Sequence, residues 1–117
     1  MCDITNQVQD VVRHSRVSDG LCVVYCPHTT AGITVNENAD PDVSRDLMAS
    51  LARQVPATGG YAHVEGNSDA HIKASMTGPS QTLIVGGGRV VVGQWQGSYF
   101  CEFDGPMERK VVGKVMA

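Results

Sequence analysis

Apolar residues return every three to four positions in some stretches of this chain and every second position in others, so helices and strands should alternate along it. Val8, Val11 and Val12 follow Thr5 at helical spacing, with Thr5 as N-cap and Gly20 beyond the end, which predicts a short amphipathic helix. Asp40-Pro41 places an N-cap before proline at the first helical position, and Val43, Leu47, Leu51 and Val55 then recur every four residues, predicting a second helix that stops before Pro56. Ala70 to Met76 reads as a third, ended by Gly78-Pro79. Leu21 to Cys26 and Ile33 to Val35 are dense in β-formers. From Gln81 onward the pattern is β throughout: Gln81 to Val85, Arg89 to Gly93, Gln94 to Phe103, and Val111 to Val115. Gly86-Gly87-Gly88 is followed by the strand-like Arg89-Val90-Val91-Val92, so it reads as a hairpin turn; a phosphate loop needs a helix there. The class expected is α+β, a mainly antiparallel meander with two to three helices.

Composition narrows the picture. A chain of 117 residues, 42% hydrophobic, builds one core, so residues 1–117 form a single domain. Nine basic and twelve acidic residues leave a charge of −3, which argues against a nucleic-acid partner. The longest apolar run, Leu21 to Cys26, falls far short of the roughly 20 residues a bilayer span needs. Met1 is not followed by a basic and then apolar leader. The expectation is a soluble, cytoplasmic protein with no membrane partner. None of the four cysteines forms a Cys-x-x-Cys pair, and Cys22 and Cys26, four apart on a strand, lie about 13 Å from each other, beyond bridging range. Core thiols are expected, with Cys26, two residues from His28, as an outside ligand candidate.

The candidate chemistry sits in three polar turns. Pro27-His28-Thr29-Thr30 connects two strands, Asn36-Glu37-Asn38-Ala39-Asp40 leads into the second helix, and His63 to His71 folds around Gly66-Asn67-Ser68-Asp69. His14 lies in the charged stretch Arg13 to Arg16 and reads as a surface residue. Two readings fit His28, His63 and His71. In the first they bind a divalent metal such as zinc, leaving a coordination position open, with Glu37, Asp40 and Glu65 as catalytic carboxylates and Asp69 beside the ligands. In the second, no metal is needed, and protonated imidazoles, the Thr29 and Thr30 hydroxyls and backbone N–H groups hold a phosphate or pyrophosphate. The first is preferred because neutral imidazoles among carboxylates suit a cation. Asn38, Asn67 and Asp69 join Thr29, Thr30 and Arg109 as candidate ligand-binding residues. Trp95 is expected in the core, the other reading being that with Gln96 it lines the pocket and stacks on a flat ring, and Asp104 reads as a turn residue before Gly105-Pro106.

The blocks Pro27-His28-Thr29-Thr30-Ala31-Gly32 through Asp40-Pro41, His63-Val64-Glu65-Gly66-Asn67-Ser68-Asp69-Ala70-His71, Gly93-Gln94-Trp95-Gln96-Gly97 and Glu102-Phe103-Asp104-Gly105-Pro106 resemble the YjbQ-like family, in order and across essentially the whole chain. Its members often carry the name secondary thiamine-phosphate synthase. The resemblance implies an α+β subunit that assembles as a homotrimer, with a histidine-rich pocket at or near the subunit boundary. It also implies weak transfer of an aminopyrimidine methyl group from pyrophosphate to a thiazole phosphate; the competing reading is non-enzymatic binding of a phosphorylated metabolite or metal ion. Two departures stand out. No stretch matching the family's N-terminal edge strand is found ahead of Asp3, so either the start is truncated or the sheet edge is finished differently, and Gln94 and Met107 stand where threonine and arginine are usual, leaving Arg109 as the nearby positive charge.

Overall fold

The computed structural model describes residues 1–117. Its elements run β1 (Cys2–Asp3), α1 (Thr5–Ser15), β2 (Asp19–Tyr25), β3 (Ala31–Glu37), α2 (Pro41–Gln54), α3 (Ser68–Thr77), β4 (Ser80–Gly86), β5 (Arg89–Val90), β6 (Gln96–Glu102) and β7 (Val112–Met116). The class is α+β with three helices, and every strand pairing is antiparallel. The strands form two sheets, one in the order β1-β6-β3 and the other β5-β4-β2-β7.

That order corrects the expected meander. Only β4 and β5 are hairpin neighbours, because Gly87 and Gly88, at φ 61° and 77°, supply the left-handed backbone of a two-residue turn. Residues 91–95 and 103–111 are longer connections that carry the chain between sheets: β6 crosses to pair with β3 and β1, and β7 returns to pair with β2. Cys2 and Asp3 pair with Phe100 and Tyr99, so a two-residue strand occupies the edge beside β6.

The core lies where α1 covers both sheets. Ile4, Val8 and Val12 pack with Cys22, Val24, Leu83, Val85 and Val90 of one sheet and with Ala31, Ile33 and Phe100 of the other. Val12 and Ile33 are wholly buried, each contributing about 2 kcal/mol of hydrophobic stabilisation. Thr5 does not cap α1 as expected. The Asp3 carboxylate accepts from the Thr5 main-chain N–H at 2.9 Å and also from its hydroxyl, while Thr5 Oγ1 accepts from the Ser98 N–H at 3.0 Å.

Asp40 caps α2 as predicted, accepting from the Asp42 N–H at 2.9 Å, with Pro41 at the first position. No residue of α2 is buried, and its apolar stripe of Val43, Leu47 and Leu51 stays half-exposed. The helix packs on little of the rest of the fold, and the molecule measures 49 × 27 × 20 Å. No helix is long and apolar enough to cross a membrane. The third helix starts earlier than its apolar residues suggest, because the Asn67 carbonyl accepts from the Ala70 and His71 N–H groups at 3.0 and 3.3 Å. His71 therefore rides on a helix.

Candidate functional site: two clefts that share one histidine

The Pro27–Thr30 turn carries the chain from β2 to β3 and is pinned at its base, where the Cys26 N–H donates to the Pro79 carbonyl at 2.7 Å. His28 Nε2 accepts from the main-chain N–H of Lys110 at 2.8 Å. An amide N–H can only donate, so Nε2 is unprotonated and the neutral ring carries its proton on Nδ1. Thr29 is exposed, whereas Thr30 is buried and its hydroxyl accepts from Arg109 at 2.8 Å.

Gly66, at φ 78°, turns the chain between His63 and α3, and the His63 and His71 rings meet edge to face with centroids 5.4 Å apart. Glu65 lies 3.8 Å from His63 Nε2. His71 lines two clefts. One, of about 310 Å³, is lined by His28, Thr29, Ala31, His71, Ala74, Ser75 and Pro79. The other, of about 390 Å³, is lined by Tyr61, Ala62, His63, Ser68, His71 and Ile72. His28 and His63 thus each share a cleft with His71, and neither shares one with the other. A third cavity, between α1 and the β2-β7 side of its sheet, is walled by Val8, Val11, Val24 and Val111 and lies apart from the histidines.

The other sequence candidates scatter. Glu37 and Asn38 lie at the end of β3, where the Glu37 carbonyl accepts from the Tyr99 hydroxyl at 3.0 Å and the Asn38 amide donates to Asp3 at 3.3 Å. Asp40 is occupied with its cap, and none of these three lines a histidine cleft. Asp69 pairs with Lys73 at 3.0 Å, both side chains 12% exposed. The Asn67 side-chain amide donates to Asp104 at 2.9 Å, and its Oδ1 is buried without a partner. Trp95 is 56% exposed and outside the core, a correction that follows from its place in the crossing between sheets.

Arg109 is engaged within the fold. Its Nε donates to Glu102 at 2.7 Å, and a terminal nitrogen donates to the second Glu102 oxygen and to Thr30 Oγ1. The hydrogen bonds from Arg109 hold the Glu102 carboxyl below its ordinary value, against the opposing effect of burial, and Glu102 in turn raises Arg109. Burial pushes the Cys26 thiol up, although the His28 backbone N–H partly offsets it, so Cys26 is a core thiol. Sequence reasoning missed Glu102, Lys110, Tyr61 and Ser75. Opposite charges seven residues apart across a Gly-Pro turn were the one signal available for Glu102 and Arg109.

Within one chain these donors do not make the three-histidine zinc set expected from the sequence. No three His, Cys, Asp or Glu side chains are grouped to hold an ion, and the hydrogen bond to His28 Nε2 uses the lone pair a metal would need.

The family profile described as UPF0047 protein YjbQ-like matches residues 1–117. The chain belongs to the YjbQ/UPF0047 family. A UPF0047 protein of Methanocaldococcus jannaschii is 48% identical over 116 residues, covering 99% of this chain and 84% of that protein. The UPF0047 protein YugU of Bacillus subtilis is 48% identical over 117 residues, with 99% and 89% covered. A solved structure from Clostridium acetobutylicum, described as an uncharacterized conserved protein of the YjbQ/UPF0047 family, superposes with TM-score 0.96 at 60% identity over 97% of this chain and 88% of that one. A YbjQ-like protein of unknown function from Sulfolobus solfataricus gives TM-score 0.89 at 28% identity, with 95% and 81% covered.

Proposed function

We propose that this YjbQ/UPF0047 protein binds a small phosphorylated molecule, with the phosphate in the His28–His71 cleft and the organic part beside Tyr61 and Ile72. One observation carries the reading: the cleft that joins His28 to His71 is lined by two imidazoles, Thr29 and Ser75, with no carboxylate. Such a lining offers donors to an anion and lacks the negative charge that would attract a cation. The adjoining cleft supplies an aromatic and an aliphatic wall, suited to a flat ring. His71, common to both, stands at the junction between phosphate and ring and serves as the proton donor to a departing phosphate.

The reaction that the family resemblance implies has this shape. The C–O bond of an aminopyrimidine methyl pyrophosphate breaks, a C–N bond to a thiazole phosphate forms, and pyrophosphate leaves carrying the proton His71 supplies. The test is turnover of the two precursors by purified protein and by His71→Ala, with metal content recorded on both. Turnover lost in the variant and metal-independent in the parent supports the scheme. Phosphate binding without turnover reduces the function to sequestration of the metabolite, and no binding of phosphate or pyrophosphate removes the reading.

Zinc is the second reading. It is favoured by the His63–His71 pair with Glu65 beside His63, and it requires a further ligand that one chain does not bring to that pair. Assembly as a homotrimer belongs to the same proposal, supported by the half-exposed apolar stripe of α2.

A further inference from the structure

The connection between β6 and β7 touches both histidine loops. The Lys110 N–H reaches His28 Nε2 at 2.8 Å, and the neighbouring Arg109 is clamped on Glu102 and Thr30. Farther back, the Asp104 N–H donates to Glu102 at 3.0 Å, and the Asp104 carboxylate accepts from the Asn67 side-chain amide at 2.9 Å. The Asn67 carbonyl accepts the N–H groups of Ala70 and His71. A run of bonds therefore leads from one imidazole to the helix that carries the other, and none of Lys110, Arg109, Glu102, Asp104 or Asn67 lines the His28 cleft.

We propose that this connection is a positioning brace: Arg109, held by Glu102 and Thr30, keeps the Lys110 N–H against His28 Nε2 and so selects the Nδ1–H tautomer of the ring. An unrestrained neutral imidazole exchanges its proton between its two nitrogens. A donor fixed at Nε2 ends that exchange, so Nδ1–H becomes the ring's only donor, the form an anion needs. Arg109 is then a positioning residue, because its own donors are directed at Glu102 and Thr30. The functional use of the tautomer rests on the phosphate reading of the cleft; the tautomer itself does not.

Long-range proton–nitrogen spectra of 15N-labelled protein test the brace at alkaline pH, where the ring is neutral. The wild-type His28 should show a protonated Nδ1 and an unprotonated Nε2. Lys110→Pro, which removes the N–H, and Arg109→Met, which removes the clamp, should both relax to a mixture of tautomers and bind inorganic phosphate about tenfold more weakly. Arg109→Lys keeps the charge without the planar fork and should fall between. An Nε2–H ring in the wild type overturns the proposal without any substitution, as does a folded Arg109→Met protein whose ring stays Nδ1–H. A wild-type ring that is Nδ1–H yet ignores added phosphate supports the brace and removes the phosphate reading.

Discussion

An arginine whose side chain is only 10% exposed needs a partner for its charge, and Arg109 takes both oxygens of Glu102 and the hydroxyl of Thr30. Glu102→Gln should therefore lower the unfolding free energy by about 2 kcal/mol, since it leaves a largely buried charge unpaired. The pH dependence has a definite sign. Glu102 titrates below its ordinary value of 4.5 in the folded protein, so its contribution is present above that pH and lost as pH falls through the depressed folded value. Denaturation curves of wild type and Glu102→Gln should diverge at neutral pH and converge in acid; a gap that persists unchanged in acid would show that the carboxylate charge is not its source. The thiols give an independent check on burial. Cys2 is exposed while Cys22, Cys26 and Cys101 are buried, and burial raises Cys101 to about 11. A disulfide reagent should titrate one thiol in the native protein and four after denaturation, and Cys2→Ser should remove the fast one.

At the scale of elements, α2 stands out as a helix that its own sequence explains almost completely. Asp40-Pro41 starts it and the four-residue period of Val43, Leu47 and Leu51 sustains it, although none of its residues is buried. Asp40→Ala should cost about 1 kcal/mol, and because the helix packs on so little, the loss should appear as local fraying in hydrogen exchange and leave β2 and β4 protected. An unchanged exchange pattern across residues 41–46 would deny the cap any role. The strands were legible for the same reason, since β2 and β3 carry dense β-formers. Their partners were not, because pairing is decided by connections such as 91–95 and 103–111, which have no period to read. The start of α3 was hidden by Gly66-Asn67-Ser68-Asp69, a run that reads equally as turn and as cap. His28 and His71 could be recognised from their polar neighbours. The clamp on Arg109 could not, because it joins the end of β6 to residues of two connections whose meeting depends on the crossing of β6 to β3.

Taken whole, the molecule is less compact than its length requires. Its radius of gyration is 15.4 Å, against about 13 Å for a globular chain of this size, and α2 buries none of its residues. A helix with a half-exposed stripe of valine and leucine is well suited to pack against another copy. Native mass by light scattering should be three times the 12.5 kDa of the chain, and Leu47→Glu should reduce it to one chain without loss of helix by circular dichroism. A wild-type monomer would contradict the homotrimer.

The claim on which the functional account turns is that His28 and His71 receive one anion together. The direct measurement is a titration of wild-type protein with inorganic phosphate, followed through the ring protons of each histidine. The account predicts that His28 and His71 shift along one binding curve while His14, bonded to the Asp10 carbonyl within α1 and lining neither cleft, does not move. Rings that shift with separate curves, or that respond to a divalent cation and not to phosphate, would contradict it.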